Sequence, residues 1–374
     1  MQTLEKEVEE STIRRKRSKN HSKRKNKLSI FFNIICYGFI IGIISGFFLL
    51  YGPISGFRNW YITTAMTTMH HQYLATWFFS AETINEVLNN NKVIEVNAIT
   101  DPTKIKNDNN NTNPNSVTYT NQYEKAVLEK DPEHPDYKII DIKEKNYEGY
   151  LAVVYDASKI HTLVTARLNT SGQYVTTMAQ NKKAVLAING GGFEDLNHNS
   201  TGGTPLGLTF SEGKLITNYS YSGAGGLIGF DENDKLILGK MTAEKAKSMK
   251  IRDAVTCGPF LIINGESSAI LGNGGWGTAP RTAIGQRKDG IILMLVVDGR
   301  RVGMPGADMD DLIEIMERYG AYNASALDGG TSSVMVENYK VINDPIDSTG
   351  AHKTRPIATG FGLILGDNDK KINQ

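Results

Sequence analysis

The sequence predicts an α+β fold with a mixed or antiparallel sheet and few helices, preceded by a single N-terminal transmembrane helix and a helical stem. Three observations point there. Thirty consecutive uncharged residues lie between Lys27 and Arg58. Short β-branched and aromatic runs bounded by Gly, Asn or Asp recur beyond residue 136. Some of these runs come in pairs around short turn segments, which makes hairpins and not a regular βαβ alternation.

Composition narrows the class before any motif is read. The 374 residues are 40% hydrophobic and 22% charged, with 37 Gly against 11 Pro, which excludes collagen-like and wholly disordered chains. The formal net charge of +1 hides an asymmetry: residues 1–28 carry ten Lys/Arg and four Asp/Glu. The remainder holds 31 basic and 36 acidic residues, a net of about −5. A mildly acidic body argues against nucleic acid as a partner. Cys36 and Cys257 are the only cysteines, too few for a disulfide scaffold or a cysteine-based zinc site.

From the N-terminus, residues 1–27 form a basic tail, containing Arg14-Arg15-Lys16-Arg17. Residues 28–51, all uncharged, would span roughly 36 Å as a helix, enough to cross a hydrocarbon core of about 30 Å. The positive-inside rule keeps the tail in the cytoplasm and sends the body outward. The span ends Leu49-Leu50-Tyr51-Gly52-Pro53 with no small-residue cleavage site, so a retained signal anchor is expected. Residues 52–99 read as a stem. Ile62, Met66, Met69, Tyr73 and Trp77 recur at helical spacing, and Ser80 is placed to cap a second helix. Adjacent His70 and His71 point about 100° apart and make no chelating face. Residues 100–122, with seven Asn and two Pro, are an Asn-rich linker. Residues 123–367 are one globular domain, and 368–374 a polar tail.

Within that domain strands are expected over 137–142, 150–155, 160–168, 184–188, 251–255 and 291–297. Hairpins are expected at 206–217 and 227–238. Helices should start at Thr242, with a Thr cap, and at Asp308, with acids in the first turn and a stop at Gly320.

Four segments place Gly and polar residues directly after a strand, where side chains reach a rim open to a ligand. Asn189-Gly190-Gly191-Gly192-Phe193 lets backbone approach a ligand closely and offers an amide, or is simply a capped turn. Glu194, Asp195 and His198 beside it leave a divalent metal open. Arg281 opens an apolar strand, where its planar fork suits a phosphate, a carboxylate or a structural ion pair. Asp298 ends a strand buried on both faces, followed by Arg300, or is a turn aspartate. Asp328-Gly329-Gly330-Thr331 can form an anion nest. Two carboxylates, an arginine and a Gly-hydroxyl loop are the parts needed to cleave a glycosidic bond to phosphate.

In this order, Ile188–Phe193, Pro205-Leu206-Gly207, Gly258-Pro259-Phe260-Leu261, Arg281–Gly285, Val297–Arg300, Leu327–Gly330 and Arg355-Pro356 resemble the phosphodiester glycosidase family. The resemblance covers roughly residues 145–365. It implies an α+β domain that hydrolyses a sugar 1-phosphodiester, with Asn189, Arg281, Asp298 and Asp328 as catalytic positions. Gly190, Gly191, Arg300, Gly329, Gly330 and Thr331 are the implied substrate-binding positions. No cofactor is required. The sequence departs from the family at Gly192, where relatives often carry an aromatic. Cys257 reads as a buried small residue. With a membrane anchor and an Asn- and Lys-rich chain, the expected setting is a Gram-positive bacterium, and the expected substrate a phosphoglycan such as teichoic acid or exopolysaccharide. The alternatives are a non-catalytic glycan-binding or assembly factor and a phosphosugar transferase. Nothing in the sequence sets an oligomeric state.

Overall fold

A computed structural model describes residues 2–68, 71–106, 119–195, 200–347 and 349–366. His70, His198, most of the Asn-rich linker and the 368–374 tail lie outside the described residues. The chain divides into two compact units, Met1–Tyr61 and Ile62–Gln374.

The first unit is dominated by α1 (Gln2–Tyr51). Its stretch Ile30–Tyr51 has the length and composition of a membrane anchor or signal sequence.

α2 (Ser55–Thr67) begins the stem and α3 (Tyr73–Thr76) follows it. The helical spacing from Ile62 to Trp77 is therefore shared between two helices. α4 (Ala81–Asn90) starts where Ser80 accepts a hydrogen bond from Thr83 N–H, as expected of that cap. β1 (Lys92–Ile94) follows. Beyond it Thr100 N–H donates to Leu238 O, and Asp101 N–H donates to Asn264 Oδ1. The start of the Asn-rich stretch thus runs along the body, because its backbone finds partners there.

α5 (Gln122–Leu128), β2 (Tyr137–Lys143), β3 (Glu148–Val154), β4 (Ile160–Val164), α6 (Val175–Lys182) and β5 (Ala184–Asn189) open the domain. Two hairpins follow, β6 (Leu208–Ser211) with β7 (Lys214–Asn218) and β8 (Gly226–Asp231) with β9 (Leu236–Gly239). Both match the sequence expectation. Next come α7 (Ala243–Ser248), β10 (Ile251–Cys257), β11 (Phe260–Ile263), β12 (Glu266–Ser267), β13 (Ala269–Leu271), β14 (Arg281–Arg287) and β15 (Ile292–Val297). The chain closes with α8 (Met309–Arg318), β16 (Ala321–Ala326), β17 (Met335–Glu337), β18 (Lys340–Val341) and β19 (Thr359–Ile364). α8 carries the Asp308 cap as a full capping box with Asp311.

Every ladder among these strands is antiparallel. The sheets run β12-β11-β16-β14-β15-β3-β2, β7-β6-β10-β8-β9 and β18-β17-β5-β19-β4, with β1-β13 as a separate pair. One core of Ile188, Phe230, Val255, Ile284, Val296 and Phe361 joins the three large sheets. The other face of the seven-stranded sheet packs Ala283, Leu295, Val297 and Ala326 against Leu312 and Met316 of α8. Strands buried on both faces read as continuous apolar runs, and Ile292–Val297 is buried along its whole length, as its sequence leads one to expect.

β15 and β16 both pair antiparallel with β14, so they run parallel to each other. Asp298 and Asp328 therefore leave the same sheet edge, two strand spacings or roughly 9.5 Å apart. That topology positions the candidate site.

Candidate functional site

The polar residues at this edge divide into two groups. The first gathers around Asp328. Arg355 Nη2 lies 3.4 Å from Asp328 Oδ2, and Arg355 Nη1 lies 3.5 Å from Asp195 Oδ2. Arg355 Nε donates to Ser332 Oγ at 2.8 Å, and its guanidinium covers the Phe193 ring at 4.5 Å. Arg300 approaches the same turn from another direction. Its Nη1 donates to Thr331 Oγ1 and to Ile346 O, both at 2.8 Å.

Two arginines thus straddle the tight turn Gly330–Ser332. Burial lowers the Arg300 guanidinium pKa, and the neighbouring Arg355 charge lowers it further. The two like charges are offset by carboxylates, Asp195 and Asp328 at Arg355 and Asp347 near Arg300. Arg300 also adopts φ 61°, a left-handed conformation that costs a non-glycine residue about 1 kcal/mol. A side chain at Gly330, which sits at φ 63°, would be strained and would displace the Arg300 guanidinium, since a Cβ would stand 2.9 Å from Arg300 Nη2.

Behind this surface sit Asn189 and Arg281. Asn189 is fully buried. Its Nδ2 donates to Asp328 O at 2.6 Å, and its Oδ1 accepts from Thr282 Oγ1 at 2.7 Å and Val334 N–H at 3.1 Å. The amide thereby fixes the backbone that carries Asp328. Arg281 points to the opposite face of β14 from Thr282. Its Nε donates to Ala307 O, and Nη2 donates to Trp276 O and Gly277 O. Nη1 lies beside Gly329, where a Cβ would come within 3.4 Å of it. Burial pushes the Arg281 guanidinium down to about 10, so it keeps its charge at neutral pH.

The glycines of the first motif serve close packing. Gly190 N–H donates to Thr359 O, Gly191 N–H to Thr359 Oγ1 and Gly192 N–H to Thr256 O. A Cβ on Gly191 would stand 2.6 Å from Thr256 O. These donors are taken internally, so the N–H groups of Gly190 and Gly191, the implied substrate-binding positions, are bonded within the fold. In the second loop, the N–H groups of Asp328, Gly330, Ser332 and Ser333 are likewise taken by backbone carbonyls. Those four N–H groups are therefore bonded within the fold, and the Arg300 and Arg355 side chains add donors beside the loop. At Gly192, a Cβ would meet Leu206 Cδ1 at 3.2 Å, so the aromatic of relatives would need Leu206 to move.

Asp298 belongs to the second group. Asn343 Nδ2 donates to its Oδ1 at 2.8 Å and Asp344 N–H to its Oδ2 at 2.9 Å. Arg301 Nη2 lies 3.4 Å from Asp298 Oδ2 and 2.9 Å from Asp344 Oδ2. Burial raises the Asp298 carboxyl pKa, against the opposing pull of these donors. It lines a cavity of about 260 Å³ with Asp141, Tyr150, Arg301 and Asp344, apart from the Asp328 cluster. Asp298, expected to share one site with Asp328, is held by loop 343–344 through both carboxylate oxygens.

Sequence reading passed over the grouping of Arg355, Asp195 and Ser332. An Arg-Pro in an irregular stretch has no spacing that ties it to a strand end 27 residues earlier. Among the described residues, no group of three or more His, Cys, Asp or Glu side chains is arranged to hold a metal. Asp195, proposed with Glu194 and His198 as a ligand, turns to Arg355.

Residues 182–364 match the family model for phosphodiester glycosidases. The chain carries a phosphodiester glycosidase domain. Every polar position described above except Asp141 of β2 and Tyr150 of β3 falls within the matched stretch. Over 187 residues the chain is 30% identical to the SPbeta prophage-derived uncharacterized protein YomE of Bacillus subtilis strain 168. That match covers 48% of this chain and only 28% of the relative, so the chain spans little more than a quarter of that protein. The phosphodiester glycosidase fold is also that of the zebrafish N-acetylglucosamine-1-phosphodiester α-N-acetylglucosaminidase catalytic domain, a structure auto-inhibited by its pro-peptide. It superposes with a TM-score of 0.51 at 21% identity, over 62% of this chain and 82% of that one.

Proposed function

We propose that this protein is a membrane-anchored extracytoplasmic hydrolase that cleaves a sugar 1-phosphodiester in a cell-wall polymer or exopolysaccharide. The observation that carries this reading is the partly exposed Asp328 carboxylate paired with Arg355, next to the Gly330–Ser332 turn that Arg300 also contacts. The membrane placement rests on the apolar Ile30–Tyr51 helix and the basic residues before it.

In the proposed reaction the arginines hold the non-bridging phosphoryl oxygens, which suit a planar guanidinium fork. Water adds to the anomeric carbon while the bond from that carbon to the phosphate oxygen breaks. The electron pair leaves with the phosphomonoester, and the water's proton passes to Asp328. Phosphate is a good leaving group, so strong general-acid assistance is unnecessary. Asn189 and Arg281 position Asp328 and Gly329 from behind. Asp195 steadies Arg355, and Asp298 acts through the loop 343–344 that it holds.

The test uses the full-length protein in detergent with the methyl phosphodiester of N-acetylglucosamine 1-phosphate and with purified teichoic acid. Release of free sugar and phosphomonoester, lost in Asp328→Asn, supports the reading. Glycan binding without release, or release of a transferred glycan, would replace it with the binding or transferase alternative.

A further inference from the structure

A cleft of about 500 Å³ opens beside the Gly-rich turn, between the end of β7, the loop after it and the start of α7. Two aromatic residues line it, and both hydroxyls are anchored. Tyr219 donates to Asn169 Oδ1 at 3.1 Å, and Tyr221 donates to Ala224 O at 2.6 Å. Tyr219 nevertheless stays 42% exposed. A ring fixed at its polar end and open on its body offers amphipathic contact at low entropic cost. Asn218 adds a planar amide to the wall. Lys240, paired with Glu95 at 3.0 Å, keeps a largely exposed ammonium there.

The cleft adjoins the Asp328 cluster. Thr256 lines it, while the carbonyl of Thr256 accepts the Gly192 N–H on the side of the Gly-rich turn. Burial raises the Tyr221 hydroxyl pKa, and the nearby Cys257, Glu95 and Asp328 raise it further. Aromatic platforms with a few fixed polar groups are what a neutral pyranose needs. Its axial C–H face packs on the ring while its hydroxyls meet amide and ammonium donors.

We infer that this cleft is a second glycan subsite, in which Tyr219 and Tyr221 hold the sugar on the far side of the scissile phosphate. The inference rests on the hydrolase reading for its place along a polymer. The binding of a neutral sugar in the cleft does not depend on turnover.

The test is saturation-transfer NMR on the full-length protein in detergent, with N,N′-diacetylchitobiose as the probe. The expected result is transfer to the pyranose ring protons in the wild type. Tyr219→Ala should weaken the Kd at least tenfold, and Tyr219→Phe, which retains the ring without the Asn169 bond, should restore most of it. No transfer in the wild type, or equal transfer in wild type and Tyr219→Ala, would overturn the subsite. Binding with this Tyr219 dependence, in a protein that releases no sugar from any phosphodiester, would sink the hydrolase reading and leave the subsite standing.

Discussion

Arg355 reaches Asp328 at 3.4 Å while its Nε is held by Ser332 Oγ at 2.8 Å, so the charge beside the carboxylate is itself anchored. The pairing is long for an ion pair and leaves the carboxylate partly exposed. This geometry is open to an incoming anion, which could take the guanidinium face that Asp328 only partly occupies.

Asp328→Asn should lower kcat about 10³-fold, in the range of a lost acid–base group, with little change in melting temperature. Arg355→Lys should instead raise KM roughly tenfold, since an ammonium cannot reproduce the fork. Steady-state kinetics on the methyl phosphodiester, with circular dichroism melts alongside, separate these effects. Equal activity of Asp328→Asn and wild type would remove Asp328 from the chemistry.

Asn189→Ala is expected to damage stability before chemistry. It leaves Thr282 Oγ1, Val334 N–H and Asp328 O without a buried partner, at a cost of about 3 kcal/mol. Urea unfolding followed by fluorescence reads this directly. A variant as stable as wild type yet inactive would show that the amide acts on substrate.

The capping box of α8 makes a pH prediction. Burial, with Asp308 nearby, raises the Asp311 carboxyl from 3.8 to about 6. A raised folded-state value means that the folded protein binds this proton more tightly. Its stabilising contribution is present below about pH 4 and is lost as pH rises through 6. Asp311→Asn keeps an acceptor for Asp308 N–H and removes the charge. The variant should exceed wild type by about 1 kcal/mol at pH 7.5, after allowance for partial exposure, and converge with it near pH 4. Parallel unfolding curves at all pH values would contradict this.

Cys257 is buried, and its thiol is pushed up to about 12 by burial first and then by Asp328. Native protein at pH 8 should leave Cys257 unmodified by iodoacetamide over hours, and denaturation should expose it at once. Peptide mass spectrometry of labelled protein distinguishes it from Cys36. Rapid native labelling would mean that the Tyr221 side of the cluster opens to solvent.

Much of the fold was legible. The β6–β7 and β8–β9 hairpins, the Thr242 and Asp308 caps and the strand ending at Asn189 depend on local turn chemistry and short-range periodicity. Ile62, Met66, Tyr73 and Trp77 keep helical spacing across the break between α2 and α3, so periodicity does not reveal the break. The linker was read from its composition, which carries no sign that Thr100 and Asp101 would find partners on Leu238 and Asn264.

The sequence by itself determined the apolar N-terminal helix, the order of the strands and the motif residues of a phosphodiester glycosidase, because these are written in contiguous or regularly spaced residues. Tertiary structure decided which polar groups share a site. Asp195, Asp328 and Arg355 meet across separations of 160 and 27 residues. Asp298 is drawn to loop 343–344, and the Gly190 and Gly191 donors are spent on Thr359. A buried polar group must be satisfied by whatever the fold brings near it, and that partner is not encoded in its own neighbourhood of the chain.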